Sequence, residues 1–183
     1  EACSNVLPLH KTGQIHCGNA LRLNWLEICP PATQMEQRSN DLFGNSASQT
    51  EIDFEASDAE TYICGNPPYK GNARASTEQK LDLEAALSPF FEAWRSLDYI
   101  CGWFYQAFRY CERSNAQFAF VSTNSICQGQ NADYFWKPLI QSGLCIRFGV
   151  TSFKWSNLAA HEAGVTVAVV GCCVGAVGAK FLI

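Results

Sequence analysis

Two adjacent prolines, Pro67 and Pro68, restrict the local fold of this chain more than any other feature. Neither can sit in a helix interior, and neither carries the N–H that a central strand must donate. They follow a short β-type run, Thr61-Tyr62-Ile63-Cys64. The sequence therefore predicts a strand that leaves its sheet into a rigid loop, Gly65-Asn66-Pro67-Pro68-Tyr69-Lys70-Gly71.

Around this loop the apolar periodicity alternates between the two regular types. Glu78 to Trp94 carries Leu81, Leu83, Leu87, Phe90, Phe91 and Trp94, and Leu97 to Tyr110 carries Ile100, Trp103, Phe104 and Phe108. Both patterns predict amphipathic helices. Phe118 to Ser122 reads as a buried strand, Asp133 to Gln141 as a helix, and Leu144 to Val150 and Gly164 to Gly171 as two further strands separated by Ser152 to Ala163. Ile15 to Leu23 reads as a strand with its exit loop, and the polar stretch at about 32–59 as a long loop insertion. Such alternation indicates an α/β sheet, whose ligand sites lie at the carboxyl ends of the strands. One stretch imitates a membrane span: Ala163 to Ala179 has Thr166 as its one polar side chain. It is shorter than the ~20 residues a span needs, and its valines and glycines fit a buried strand entering a turn. No membrane association is expected.

A length of 183 residues suits a single domain, and 48% hydrophobic against 16% charged residues excludes a disordered chain. The net charge of −4 offers no bulk attraction to a polyanion. Ten cysteines in a chain rich in Phe, Trp, Val and Leu fit reduced, buried thiols in a cytoplasmic protein better than a small disulfide scaffold. No C-x-x-C is present, and His10, His16 and His161 form no zinc pattern, so no metal is expected.

Asn66-Pro67-Pro68-Tyr69 should arise by chance in about one chain in a thousand of this length, given average residue usage. Here it stands at the carboxyl end of a predicted strand. It resembles the hallmark of amino-group methyltransferases that use S-adenosyl-L-methionine (AdoMet). The resemblance extends through Gly18 to Glu27, Ile63 to Gly71, Leu97 to Ala107, Ala119 to Gly129 and Thr151 to Asn157. These segments are similar, in order and spacing, to bacterial DNA adenine-N6 methyltransferases, above all the large Mme-like type II restriction-modification enzymes. The resemblance covers nearly the whole chain except the polar insertion. It implies a Rossmann-like class I methyltransferase core acting on an adenine swung out of double-stranded DNA.

The chemistry of the motif agrees with what the resemblance implies. The lone pair of adenine N6 is delocalised into the ring, so an enzyme gains by accepting hydrogen bonds from both N6 hydrogens. The resemblance gives that role to the Asn66 side-chain oxygen and the Pro67 carbonyl, with Pro68 stiffening the loop and Tyr69 stacking on the base. A second aromatic face belongs near a later strand exit: Phe153 is the candidate and Trp155 the rival. Asn19 matches a position that contacts the adenine of AdoMet, although an Asn in a Gly-Asn turn needs no ligand. Ser122, Thr123 and Asn124 either polarise a pocket floor or form a satisfied strand end. The family's Gly-rich cofactor loop and ribose-binding acid have no counterpart in the sequence and are expected upstream, and a target-recognition domain is expected downstream. The chain reads as residues 1–183 of a larger catalytic domain, inactive alone. The competing readings are a protein glutamine-amide methyltransferase and an inactive truncated module.

Overall fold

The strand expected before the two prolines is β1 (Tyr62–Gly65), at one edge of a five-stranded sheet in the order β1-β2-β4-β3-β5. The structure, a computed structural model, describes residues 15–31, 60–155, 165–175 and 178–183. The polar insertion expected at 32–59 lies outside the described residues. The other strands are β2 (Gln117–Thr123), β3 (Leu144–Trp155), β4 (Val165–Val174) and β5 (Phe181–Leu182). β1 runs parallel to β2, β4 runs antiparallel to both β2 and β3, and β5 runs parallel to β3. The carboxyl ends of β1, β2 and β3 therefore share one edge of a mixed α/β sheet. The Val-rich stretch that imitates a membrane span forms β4 and turns at Gly175, whose φ of 94° suits a residue without a Cβ. Among the described residues no helix is long and apolar enough to cross a membrane.

Apart from short 3₁₀ turns, the helices that follow α1 (Trp25–Ile28) among the described residues are α2 (Thr77–Leu87), α3 (Cys101–Cys111), and a continuous run of α4 (Gly129–Asn131), a π turn (Ala132–Trp136) and α5 (Lys137–Gln141). A reciprocal capping box between Ser76 and Gln79 starts α2. The helix stops at Leu87 rather than continuing to Trp94 as the apolar spacing suggests, because Pro89 cannot extend it. The π turn widens the helix where the ring of Pro138 would meet the carbonyl four residues earlier.

β2 alternates as the sequence leads one to expect, with Phe118, Phe120 and Ser122 buried. α3 lies on that face: the Phe104 ring meets Phe120 edge-on at 5.2 Å and Phe118 at 6.1 Å. Phe135 and Trp136 close the same cluster. The expected strand at 15–23 is not formed. That segment holds a 3₁₀ turn (Ala20–Arg22) followed by α1, because Asn19 and Asn24 each accept a hydrogen bond from the backbone N–H two residues on and so initiate helical turns. β3 also outruns its expected end at Val150. It continues to Trp155 through an irregularity between Val150 and Phe153, where Ser152 takes a φ of 40°.

Candidate active site

The loop after β1 is fixed at both ends. Pro67 is buried while Asn66 and Pro68 are exposed, as a stiff loop rooted at its centre requires. Tyr69 is half-buried against the aromatic core, and its hydroxyl donates to Asn66 Oδ1. Burial pushes the Tyr69 phenol above its ordinary pKa, so the hydroxyl keeps its proton at neutral pH. Beyond it, the Lys70 carbonyl accepts from the Tyr99 N–H at 2.9 Å and the Gly71 carbonyl from the Arg74 N–H at 2.9 Å.

Asn66, Pro67 and Pro68 form part of the wall of a cleft of about 1000 Å³, completed by Gly18, Asn19, Trp25, Tyr99, Trp103, Tyr110 and Phe120. The cleft thus brings together Asn19 and the loop, which are more than forty residues apart in sequence. Asn19 serves the fold at the same time. Its Oδ1 accepts from the Leu21 N–H at 3.1 Å, and its Nδ2 donates to Asp82 at 2.7 Å and to the Tyr99 hydroxyl oxygen at 3.2 Å. Asp82 also accepts from Arg22 at 2.7 Å.

Among the described residues, Tyr69 and Phe153 are not part of the lining of this cleft. Phe153 stands at the same sheet edge, opposite Val167 of β4, which in turn lies opposite Thr123 of β2; Trp155 pairs through its backbone with Val165. The extra residue between Val150 and Phe153 decides which face Phe153 takes, since side chains alternate along a strand. Ser122 donates to the Thr123 carbonyl at 3.0 Å, and the Thr123 and Ser125 hydroxyls meet at 2.8 Å, so Ser122 and Thr123 have partners within the strand end. Tyr99, Trp103 and Asp82 were not singled out by sequence reasoning. Trp103 and Tyr99 are hidden in an aromatic stripe that also serves the core, and the one available sign of Asp82 is its placement four residues after Glu78 on α2, with both on Arg22.

Of the nine described cysteines all are free; Cys101, Cys111, Cys172 and Cys173 are buried, whereas Cys17, Cys29, Cys64 and Cys127 are exposed. The expectation of buried thiols holds only for the first set. Among the described residues no cluster of His, Cys, Asp and Glu could hold a metal ion.

The whole chain, residues 1–183, matches the family model described as MmeI, DNA-methyltransferase domain. It is 38% identical over 171 residues to DNA methyltransferase A of Bacillus subtilis (strain 168), an alignment covering 93% of this chain and 17% of that protein. Its fold is similar, with a TM-score of 0.71 and 26% identity, to that of the Type IIL restriction-modification enzyme MmeI solved in complex with DNA, over 92% of this chain and 19% of that one. The chain therefore spans about a fifth or less of the length of these relatives. With the family model matched over its full length and a 38% identical relative aligned over 93% of it, the chain belongs to the MmeI DNA-methyltransferase domain family.

Proposed function

We propose that this domain transfers a methyl group to the N6 amino group of an adenine extruded from double-stranded DNA, within a restriction-modification polypeptide. The observation that carries the reading is the Asn66-Pro67-Pro68-Tyr69 loop, anchored at Lys70 and opening into the cleft it shares with Asn19. The full-length match to a DNA-methyltransferase domain supports DNA over a protein amide as substrate.

The residues present fit AdoMet. The cleft has the volume of a small-molecule site, with aromatic walls at Trp25, Tyr99 and Trp103 for an adenine ring and, at Asn19, the remaining acceptor position of Oδ1 for an amino group on its edge. When bound, AdoMet supplies the methyl group. The chain's own residues do the rest. Asn66 Oδ1 and the Pro67 carbonyl accept the two N6 hydrogens and localise the nitrogen lone pair; the two prolines hold both acceptors so that little reorganisation accompanies transfer. Tyr69 stacks on one face of the base and Phe153 on the other, with Trp155 as the alternative second face. The Gly-rich cofactor loop and the target-recognition domain belong, in this reading, to other parts of the polypeptide, so residues 1–183 alone bind AdoMet weakly and do not methylate DNA.

The test is single-turnover methylation of an adenine-containing duplex by the full polypeptide. Asn66→Ala should slow the chemical step by roughly two to three powers of ten, the loss typical of one preorganised transition-state hydrogen bond. A near-normal rate in that variant overturns the assignment.

A further inference from the structure

The side chain of Asn131 uses all of its hydrogen-bonding capacity in a place the methyl-transfer chemistry does not explain. Asn131 is 6% exposed. Its Oδ1 accepts from the Asp98 N–H at 3.2 Å and from the Cys101 thiol at 3.5 Å, and its Nδ2 donates to Asp98 Oδ2 at 2.9 Å and to the Ser125 carbonyl at 2.9 Å. The Ser125 hydroxyl donates to the same Asp98 Oδ2 at 2.9 Å. Burial keeps the Cys101 thiol protonated, as a donor must be. Such a network has one arrangement of donors and acceptors.

Its members come from three separate places at the carboxyl edge of the sheet. Ser125 lies on the loop that leaves β2, Asn131 at the start of the following helix, and Asp98 just before α3. Asp98 also adjoins the methyl-transfer loop. A Cβ built at Gly71 would stand 3.6 Å from Asp98 Oδ1, and the next residue, Tyr99, gives its N–H to the Lys70 carbonyl at 2.9 Å. The Tyr99 hydroxyl, in turn, meets Asn19, which lines the cleft, and Asp82 of α2.

We infer that Asp98 is a positioning residue: through Ser125 and Asn131 it locks the exit of β2 to the start of α3, and through the neighbouring Tyr99 N–H it sets where the loop bearing Asn66 is held. This rests on the methyl-transfer reading and adds to it a residue that does not touch the base. The role needs an acceptor at Oδ2 more than a charge. Asp98→Asn keeps an oxygen for both donors; Asp98→Ala removes it and leaves the buried Asn131 amide partly unpaired.

The experiment compares wild type, Asp98→Ala, Asp98→Asn and Ser125→Ala in the full polypeptide. It measures single-turnover methylation, AdoMet affinity by calorimetry, and fluorescence of 2-aminopurine at the target adenine position. The expected result for Asp98→Ala is a roughly ten- to a hundredfold slower step and a weakened base signal, as for loss of hydrogen bonds to a charged group, with AdoMet affinity little changed. Asp98→Asn should recover most of the rate. If Asp98→Ala fails to fold, Ser125→Ala, which removes one donor to the same oxygen, should show a smaller loss with the same split. Equal losses in Asp98→Ala and Asp98→Asn, a parallel fall in AdoMet affinity, or an unaffected rate in Asp98→Ala or, where it is the variant read, Ser125→Ala would each overturn the inference. A wild-type polypeptide that leaves adenine unmethylated would instead overturn the reading beneath it.

Discussion

Asn19 Nδ2 and Asp82 Oδ2 are 2.7 Å apart, which makes a carboxylate on α2 the residue that orients an amide lining the cleft. Asp82 also receives Arg22 at 2.7 Å and the Tyr99 hydroxyl at 3.3 Å. Asp82→Ala strands the Asn19 amide and the Tyr99 hydroxyl at once. The expected loss is about 1–3 kcal/mol of stability from these groups, to which the two-pronged ion pair between half-exposed Arg22 and the largely buried Asp82 carboxylate adds. Urea denaturation monitors this directly, and an unchanged midpoint contradicts it.

A second outcome concerns the hydroxyl of Tyr69, which donates to the same Asn66 oxygen that N6 is proposed to use. Tyr69→Phe removes that internal competitor and keeps the ring. It should bind an extruded base at least as well as wild type, while Tyr69→Ala should bind roughly ten- to a hundredfold more weakly through lost stacking. Fluorescent-base titrations distinguish the two; equal defects in both variants argue against the stacking role.

Alkaline pH should weaken the fold. Burial pushes the Cys111 thiol up to about 12, and those of Cys101 and Cys172 well above the ordinary thiol value. Each folded-state pKa is raised, so between the two values the native state holds a proton that the unfolded chain has lost. The stabilisation is complete below the unfolded thiol pKa of about 8.5 and falls as pH rises toward the folded value. Thermal melts from pH 7 to 10.5 should show Tm declining above pH 9, less steeply in Cys111→Ala. A level Tm across that range would sink this account.

The extra residue in β3 makes a register prediction. Ser152, at a φ of 40°, should tolerate Gly but not Val, whose branched Cβ opposes positive φ; Ser152→Val is expected to lose about 1–2 kcal/mol. Deleting Ser152 returns Phe153 to the opposite face of the sheet. Base stacking in the deletion variant should then match that of Phe153→Ala, with Trp155→Ala as the control. Retained stacking in the deletion variant shows that Phe153 is not the second face.

The prolines made the central loop legible because their restriction is local and absolute: no tertiary contact can restore an N–H to Pro67 or Pro68. The strand β2 was legible for a related reason, its alternation of Phe118, Phe120 and Ser122 being set by one buried face. Elsewhere local patterns were overruled. The apolar spacing through Phe90, Phe91 and Trp94 is helical, but Pro89 breaks the helix, and Phe91 and Trp94 reach the core from the turns that follow while Phe90 stays exposed. Ile15 to Leu23 looks like a strand until the caps of Asn19 and Asn24 are counted. The network of Asp98, Ser125 and Asn131 was invisible because three short polar side chains carry no period; only the sheet brings them together.

The parallel pairing of β1 with β2 also governs when the site can exist during folding. Tyr62 meets Gln117 only after α2 and α3 have been threaded between them, whereas β3 and β4 are neighbours in sequence as well as in space. Closing the longer loop carries its entropy before any contact rewards it. The β3–β4 pair should therefore gain protection from hydrogen exchange before Tyr62–Gly65 does, and pulse labelling showing the reverse order would refute this. Since Asn66 follows directly on β1, a partly folded chain holds its sheet centre before the Asn66 loop has a place to be anchored.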